Sequence, residues 1–155
     1  VSLSSIAYRS ASSQGIEFDK LRKAGASYGP FFTPSKWVCY GQSKLANILY
    51  VTQLAERYPS ITTVAVHPGF IKTELHVNEN FMDKQVMNIM ADKWVPVEEG
   101  AWNQTWAATT PKEVLVNGAY YEPFAKKTVP DTKQGNNKEL ARKLWEWTEK
   151  ELSAW

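Results

Sequence analysis

Tyr40 and Lys44 stand four residues apart in Tyr40-Gly41-Gln42-Ser43-Lys44, at the head of the apolar run Leu45-Ala46-Asn47-Ile48-Leu49-Tyr50. On a helix that spacing puts both side chains on one face. The chemistry it permits is proton transfer. A free phenol ionises only near pH ~10 and is a poor base at neutral pH. A fixed ammonium one turn away favours the phenolate and draws its pKa towards the working range. Such a tyrosine further needs a second hydroxyl, a substrate carbonyl and a hydride donor. Two fixed positions arise by chance in many chains, so alone the pair is as well explained by a half-exposed helix start.

The element that must carry the pair is the strongest predicted helix, from about Pro34 or Tyr40 to Tyr58, stopped by Pro59. Leu45, Ile48, Leu49 and Thr52 line one side; Ala46, Tyr50 and Leu54 lie roughly opposite, with Val51 and Ala55 between. A helix apolar over most of its circumference is buried on more than one face. One face is expected to cover a sheet and the other to meet a second helix, which another subunit could supply.

Ahead of that helix, Val1 to Ser5 reads as a short buried strand ending in hydroxyls, with Val1, Leu3 and Ser5 on one face and Ser4 on the other. Residues 6 to 36 read as an irregular connection with one short helix around Phe18 to Lys23. Connections that long are usually functional or mobile. Gly25 and Gly29 do not make a phosphate loop, since no strand precedes them and a third glycine is missing.

Beyond the helix, Ile61 to Val66 suits a central parallel strand and stops at His67-Pro68-Gly69. Phe70 to Trp94 is mixed. Met82, Met87 and Met90 give it an adaptable apolar surface that suits a lid over a substrate as well as a plain surface helix pair. Pro96-Val97-Glu98-Glu99 opens another helix through Ala108, Val114 to Tyr121 reads as a third strand, and Lys126 to Gln134 as a loose polar stretch. Asn137 caps a final helix, Lys138 to Leu152, with Leu140, Leu144, Trp147 and Leu152 apolar. Strands alternating with helices mean an α/β layer with a parallel sheet.

The 155 residues, 43% hydrophobic and 22% charged with net charge +2, supply one ordinary domain and a real core. Without a dense Lys/Arg block there is no case for nucleic acid. No apolar run approaches a membrane span, and no signal-peptide pattern is present. Cys39 is the only cysteine, which excludes an internal disulfide and makes a reducing, cytoplasmic setting the expectation. Cys39 itself reads as inert packing, no histidine being paired with it locally. Trp94, Trp102, Trp106 and Trp145 fall in or beside predicted helices and read as packing residues. His67 reads as packed rather than metal-ligating, and no metal site is expected, because two histidines and one cysteine lie scattered apart.

Ser5, the Tyr40–Lys44 pair and Pro68-Gly69 with Thr73 all fall at predicted strand ends or on the adjoining helix. That is where an open parallel sheet binds its ligands. The joint pattern resembles the short-chain dehydrogenase/reductase family, of the classical type. Leu3-Ser4-Ser5 matches its catalytic-serine strand, Tyr40-x-x-Ser43-Lys44 its active-site helix, and His67-Pro68-Gly69-x-x-x-Thr73 the stretch beside the nicotinamide. Ser43-Lys44-Leu45-Ala46-Asn47 and the long Ser-to-Tyr connection resemble the branch of retinol-dehydrogenase-like and fungal oxidoreductases. The resemblance spans nearly all of residues 1–155 as a single domain. It implies the C-terminal part of a Rossmann-like, doubly wound parallel sheet.

The resemblance also implies an NAD- or NADP-dependent interconversion of a carbonyl and an alcohol on a small molecule. Tyr40 would be the general acid in reduction or the base in oxidation. Lys44 would lower its pKa and hold the nicotinamide ribose hydroxyls. Ser5, the second serine of its pair, would hydrogen-bond the substrate oxygen, although a serine pair at a strand end is also a common turn former. Thr73 would bond the cofactor carboxamide, Ile71 would line its ring, and Pro68-Gly69 would let the backbone approach closely. An apolar substrate pocket would run through Phe70, Phe81, Met82 and Met87.

The family's glycine-rich cofactor loop, its NAD-or-NADP selecting residue and its Asn-Ala-Gly strand should precede Ser5, and these residues contain none of them. The chain therefore reads as a truncated fragment, not catalytically competent by itself. The alternative is a non-catalytic module that self-associates through an open sheet edge and uncovered helix faces. A homo-oligomer is the expected state.

Overall fold

A computed structural model describes residues 1–23, 26–28, 35–72 and 93–153. In chain order its strands are β1 (Ser2–Leu3), β2 (Ala65–Val66), β3 (Phe70–Ile71), β4 (Trp94–Val95), β5 (Tyr120–Glu122) and β6 (Lys126–Thr128). Its helices are α1 (Ser35–Arg57), α2 (Val97–Gly100), α3 (Trp102–Thr109) and α4 (Lys138–Leu152). The main sheet runs β1-β2-β5-β6, while β3 and β4 form a separate parallel pair. Within the main sheet β1, β2 and β5 are parallel, with Leu3 beside Val66 and Val66 beside Tyr121. The architecture is thus mixed α/β with a parallel sheet, as the alternation of elements implies.

Strand alternation sorts the side chains into two layers. Ala65 and Tyr120 join Tyr8, Leu45, Ile48, Leu49, Leu140 and Leu144 in a core under α1 and α4. Val64, Val66 and Tyr121 pack with Ala107 of α3 on the other side. The unbroken apolar run of Val64-Ala65-Val66 suits a strand covered on both faces. The second face of α1 meets a helix of this same chain, not of another subunit: Tyr50 stacks on Trp145 of α4 with ring centroids 5.0 Å apart. Asn137 caps α4 as expected, its Oδ1 accepting from the Leu140 N–H at 2.9 Å.

Several expectations give way to local chemistry. The third strand is only Tyr120–Glu122; Lys112–Val114 forms a 3-10 turn and Val114 and Val116 are exposed. Asn117 explains the break, because its side chain accepts from the Thr63 N–H at 2.8 Å and holds the chain in a turn there. The supposedly loose Lys126–Gln134 stretch supplies β6, which pairs antiparallel with β5. It also supplies Asp131, which takes the Tyr8 hydroxyl at 2.7 Å and the Arg9 Nε–H at 2.9 Å. Those bonds hold the Asp131 carboxyl below its usual range, Arg9 contributing most and Tyr8 next. Val1 and Leu3 are exposed rather than buried, since β1 is the edge of the sheet. Trp102 also faces outwards, and so does Cys39. The expected lid residues Met82, Met87 and Met90 lie outside the described residues.

The connection after β1 is short-turned and fixed where it meets α1. Ile6–Ser10 and Phe18–Lys20 are 3-10 turns, and the first lies directly on Gly41. A methyl group at Gly41 would fall 2.6 Å from the Ala7 carbonyl oxygen and 2.7 Å from the Ala11 nitrogen. Both are backbone atoms, which no rotamer change can move aside. Helix propensity alone makes Gly41→Ala a gain of about 1 kcal/mol. The backbone overlap predicts the opposite, a loss of about 1–3 kcal/mol in urea unfolding; a stabilised variant contradicts the close approach.

Candidate active site

The end of β1 is tied to α1 by three bonds. Ser4 Oγ donates to the Lys44 carbonyl at 2.8 Å. The Leu3 carbonyl accepts from Asn47 Nδ2 at 2.7 Å and from Lys44 Nζ at 3.3 Å. Register explains why that carbonyl is available. Ser2 and Ser4 give their N–H groups to Val64 and Val66, so the polar groups of Leu3 turn to the open side of the sheet. A backbone carbonyl needs a partner, and the α1 side chains provide two.

Tyr40 lies one helical turn before Lys44, 43% exposed, with the ammonium 5.4 Å from its ring centroid. That is within cation–π range. Ser43 is exposed, and its hydroxyl turns back on the helix to donate to the Tyr40 carbonyl at 2.7 Å. Ser5 follows the tied strand end, and its Oγ accepts from the Ala7 N–H at 3.2 Å. It therefore caps the 3-10 turn. A serine that caps by accepting still has its O–H to donate, so the turn-forming and substrate-holding roles are compatible. Ser5, Tyr40 and Lys44 thus sit on two elements bonded to one another.

Pro68-Gly69 leaves the end of β2, the neighbour of β1, so the two strand ends open side by side. Gly69 has φ +93°, a conformation that glycine adopts without strain. Ile71 packs on α2, where a methyl added to Gly100 would lie 2.5 Å from its Cδ1. Thr73, Phe81, Met82 and Met87 lie outside the described residues. Beside Gly69 opens a cleft of about 350 Å³ whose walls include Ile6, His67, Phe70, Trp102, Glu122 and Phe124.

His67 is buried and meets Phe70 edge-on at 5.8 Å, a packed residue. Its Nδ1 accepts from the Gly69 N–H at 3.3 Å, which leaves the ring proton on Nε2. Burial first, and the Arg9 charge second, lower its pKa from the ordinary 6.5 to about 4. Among the described residues no group of three His, Cys, Asp or Glu side chains is placed to hold a metal. Nor is any described helix long and apolar enough to cross a membrane.

Two positioning features escape a reading of the sequence. Asn103 is 1% exposed and joins the ends of two strands. Its Nδ2 donates to the His67 carbonyl at 2.7 Å and the Tyr121 carbonyl at 3.3 Å, while its Oδ1 accepts from the Ala125 N–H at 3.0 Å. Two adjacent amides, Asn103 and Gln104, between Trp102 and Trp106 are the only signal the sequence carries for it. The Tyr8–Arg9–Asp131 cluster gave none, its halves lying 123 positions apart. Asn47 carried a readable cue, three residues after Lys44 on the same helix.

No family model matches the chain. It is 36% identical to the short-chain dehydrogenase/reductase drtF of Aspergillus calidoustus, over 98% of this chain and 49% of that protein. It is 32% identical to retinol dehydrogenase 14 of Homo sapiens, over 86% of this chain and 39% of that protein. A crystal structure of an uncharacterized protein from Mycobacterium Paratuberculosis superposes with TM-score 0.61 at 21% identity, over 96% of this chain and 47% of that one. At that identity it speaks for the fold alone. The chain belongs to the short-chain dehydrogenase/reductase family. It spans about half the length, or less, of the curated relatives it matches.

The neutral His67 has a pH consequence. Between pH 6.5 and about 4 the unfolded chain takes up a proton at His67 that the folded chain refuses. Stability is therefore complete above pH 6.5 and falls as pH drops towards 4, by about 3 kcal/mol at most. His67→Gln is expected to flatten that part of the curve in urea unfolding at pH 7 and pH 4.5. Parallel losses in both proteins contradict the assignment.

Proposed function

We propose that these residues form the proton-transfer side of an NAD- or NADP-dependent oxidoreductase site that interconverts a carbonyl and an alcohol. The observation that carries the reading is the shared Leu3 carbonyl, which locks Lys44 and Asn47 of α1 to the strand that leads into Ser5. In reduction, the Tyr40 hydroxyl gives its proton to the substrate oxygen as that carbon gains a hydride. The Ser5 hydroxyl donates a hydrogen bond to the same oxygen and steadies the charge building there. Lys44 keeps a positive charge over the Tyr40 ring. In oxidation each proton movement runs backwards.

No side chain supplies a hydride; a nicotinamide dinucleotide does so when bound. The residues present fit one end of that group. Lys44, half-buried, has further ammonium donors for ribose hydroxyls, and Gly69 puts no side chain between a ligand and its backbone. The other end has no cradle here, since none of the eight glycines forms a Gly-x-x-x-Gly-x-Gly loop. The chain by itself is accordingly read as not competent, and its cofactor preference as set elsewhere. A reducing compartment such as the cytoplasm suits the exposed Cys39 thiol.

In an active protein carrying these residues, Tyr40→Phe is expected to lower kcat at least about 100-fold, the usual range for a lost general acid. An unchanged rate overturns the role of Tyr40. Titrating the 155-residue chain with NADH and NADPH is expected to give binding weaker than micromolar; micromolar affinity contradicts the missing cradle. A second reading, self-association into a homo-oligomer, draws on the exposed Val1 and Leu3 along the β1 edge. Light scattering decides it: a dilute monomer counts against it.

A further inference from the structure

Alternation along β2 and β5 returns His67 and Glu122 to the layer that holds Ala65 and Tyr120, beneath the turn that follows Ser5. Two oxygens in that layer are buried with no hydrogen-bond partner: Glu122 Oε1 and the Tyr120 hydroxyl. Leaving a buried acceptor unanswered costs about 1–3 kcal/mol, and more for a charged one. Native structures seldom tolerate it without an outside partner. Glu122 lines the cleft of about 350 Å³ beside Gly69.

Apart from the Tyr120 hydroxyl and Lys93, neither of which bonds Glu122, the nearby donors are committed elsewhere. The Asn103 amide is taken by the His67 and Tyr121 carbonyls, and the Gly69 N–H by His67 Nδ1. The Arg9 guanidinium is paired with Asp131. His67, in the same cleft, carries its proton on Nε2 and so offers a donor. Trp102 and Phe124 stand edge to face at 6.4 Å along the wall, and Ile6 adds an apolar surface next to Ser5. Lys93 and Glu99 also border the cleft and carry opposite charges.

A group that fits must donate to a carboxylate and accept from an imidazole N–H, on a body that suits aromatic walls. We propose that this cleft is a subsite for a hydroxyl group on an apolar, ring-bearing substrate, the hydroxyl donating to Glu122 and accepting from His67. A carboxylate is repelled by Glu122, and an ether has nothing to donate. That the ligand is a substrate rests on the proposed reaction; its binding in the cleft does not.

The test uses the 155-residue chain and three probes of matched body, namely benzyl alcohol, benzoate and benzyl methyl ether. Binding is followed through amide NMR shifts at His67, Gly69 and Glu122. Benzyl alcohol is expected to bind at least about tenfold tighter than either other probe, the worth of one hydrogen bond to a charged group. Glu122→Ala should erase that preference. Glu122→Gln, which keeps an acceptor oxygen, should retain alcohol binding and admit benzoate more readily. The readout is binding at His67, Gly69 and Glu122 and not turnover, so failure here is separable from failure of the catalytic reading. Equal shifts from the three probes, or none from any, overturn the proposal and leave a solvent-filled cleft only. If Glu122→Ala does not fold, the ranking on the unaltered chain still decides.

Discussion

Everything at the candidate site depends on how closely α1 approaches the chain that leaves β1. At Gly41 the helix lies on the backbone of Ala7–Ala11, with no side chain between. That contact sets the height of the helix against the strand. At this height Ser4 reaches the Lys44 carbonyl, and the Leu3 carbonyl meets Asn47 and Lys44. A single-turn slip of α1 moves its residues by about 5.4 Å, far beyond hydrogen-bond range. The tyrosine, the lysine and the serine therefore share one rigid seam rather than three separate anchors.

The other half of the site is held by polar groups that are almost wholly enclosed. Asn103 closes the gap between the ends of β2 and β5, answering two carbonyls and one N–H that the end of the ladder leaves open. Asp131 does the same for the turn after Ser5, by binding both Tyr8 and Arg9. His67 stays neutral between these clusters because burial and the Arg9 charge both oppose its protonation. The mouth of the site is in this way built from side chains whose bonds are nearly all internal. The Tyr120 hydroxyl and Glu122 Oε1 are exceptions, and Glu122 lines the cleft.

Much of this was legible before any coordinates. The period of α1 and the Asn137 cap follow from local physics and match the structure, while the β-branched run from Ile61 is strand only at its end, Ala65–Val66. The ordering of Ser5, Tyr40–Lys44 and Pro68-Gly69 along an α/β chain was enough to bring the family into view. What failed was non-local. Val114 and Val116 looked like strand residues, but the Asn117 side chain holds a turn that only a partner at Thr63 can stabilise. Lys126–Gln134 looked loose because its hairpin with β5 is made by polar residues, Glu122 opposite Lys126, and its bond to Tyr8 comes from far along the chain. Gly41 and Asn103 look unremarkable in a helix until the neighbouring backbone is present.

The central claim is that the α1 seam aims Tyr40 and Ser5 at a single oxygen. The most direct measurement is a crystal structure of an active protein containing this chain, with dinucleotide and an unreactive alcohol bound. The account predicts Tyr40 Oη and Ser5 Oγ both within about 2.6–3.2 Å of the alcohol oxygen, with Lys44 still joined to α1's partner strand. An alcohol oxygen out of reach of either hydroxyl contradicts it.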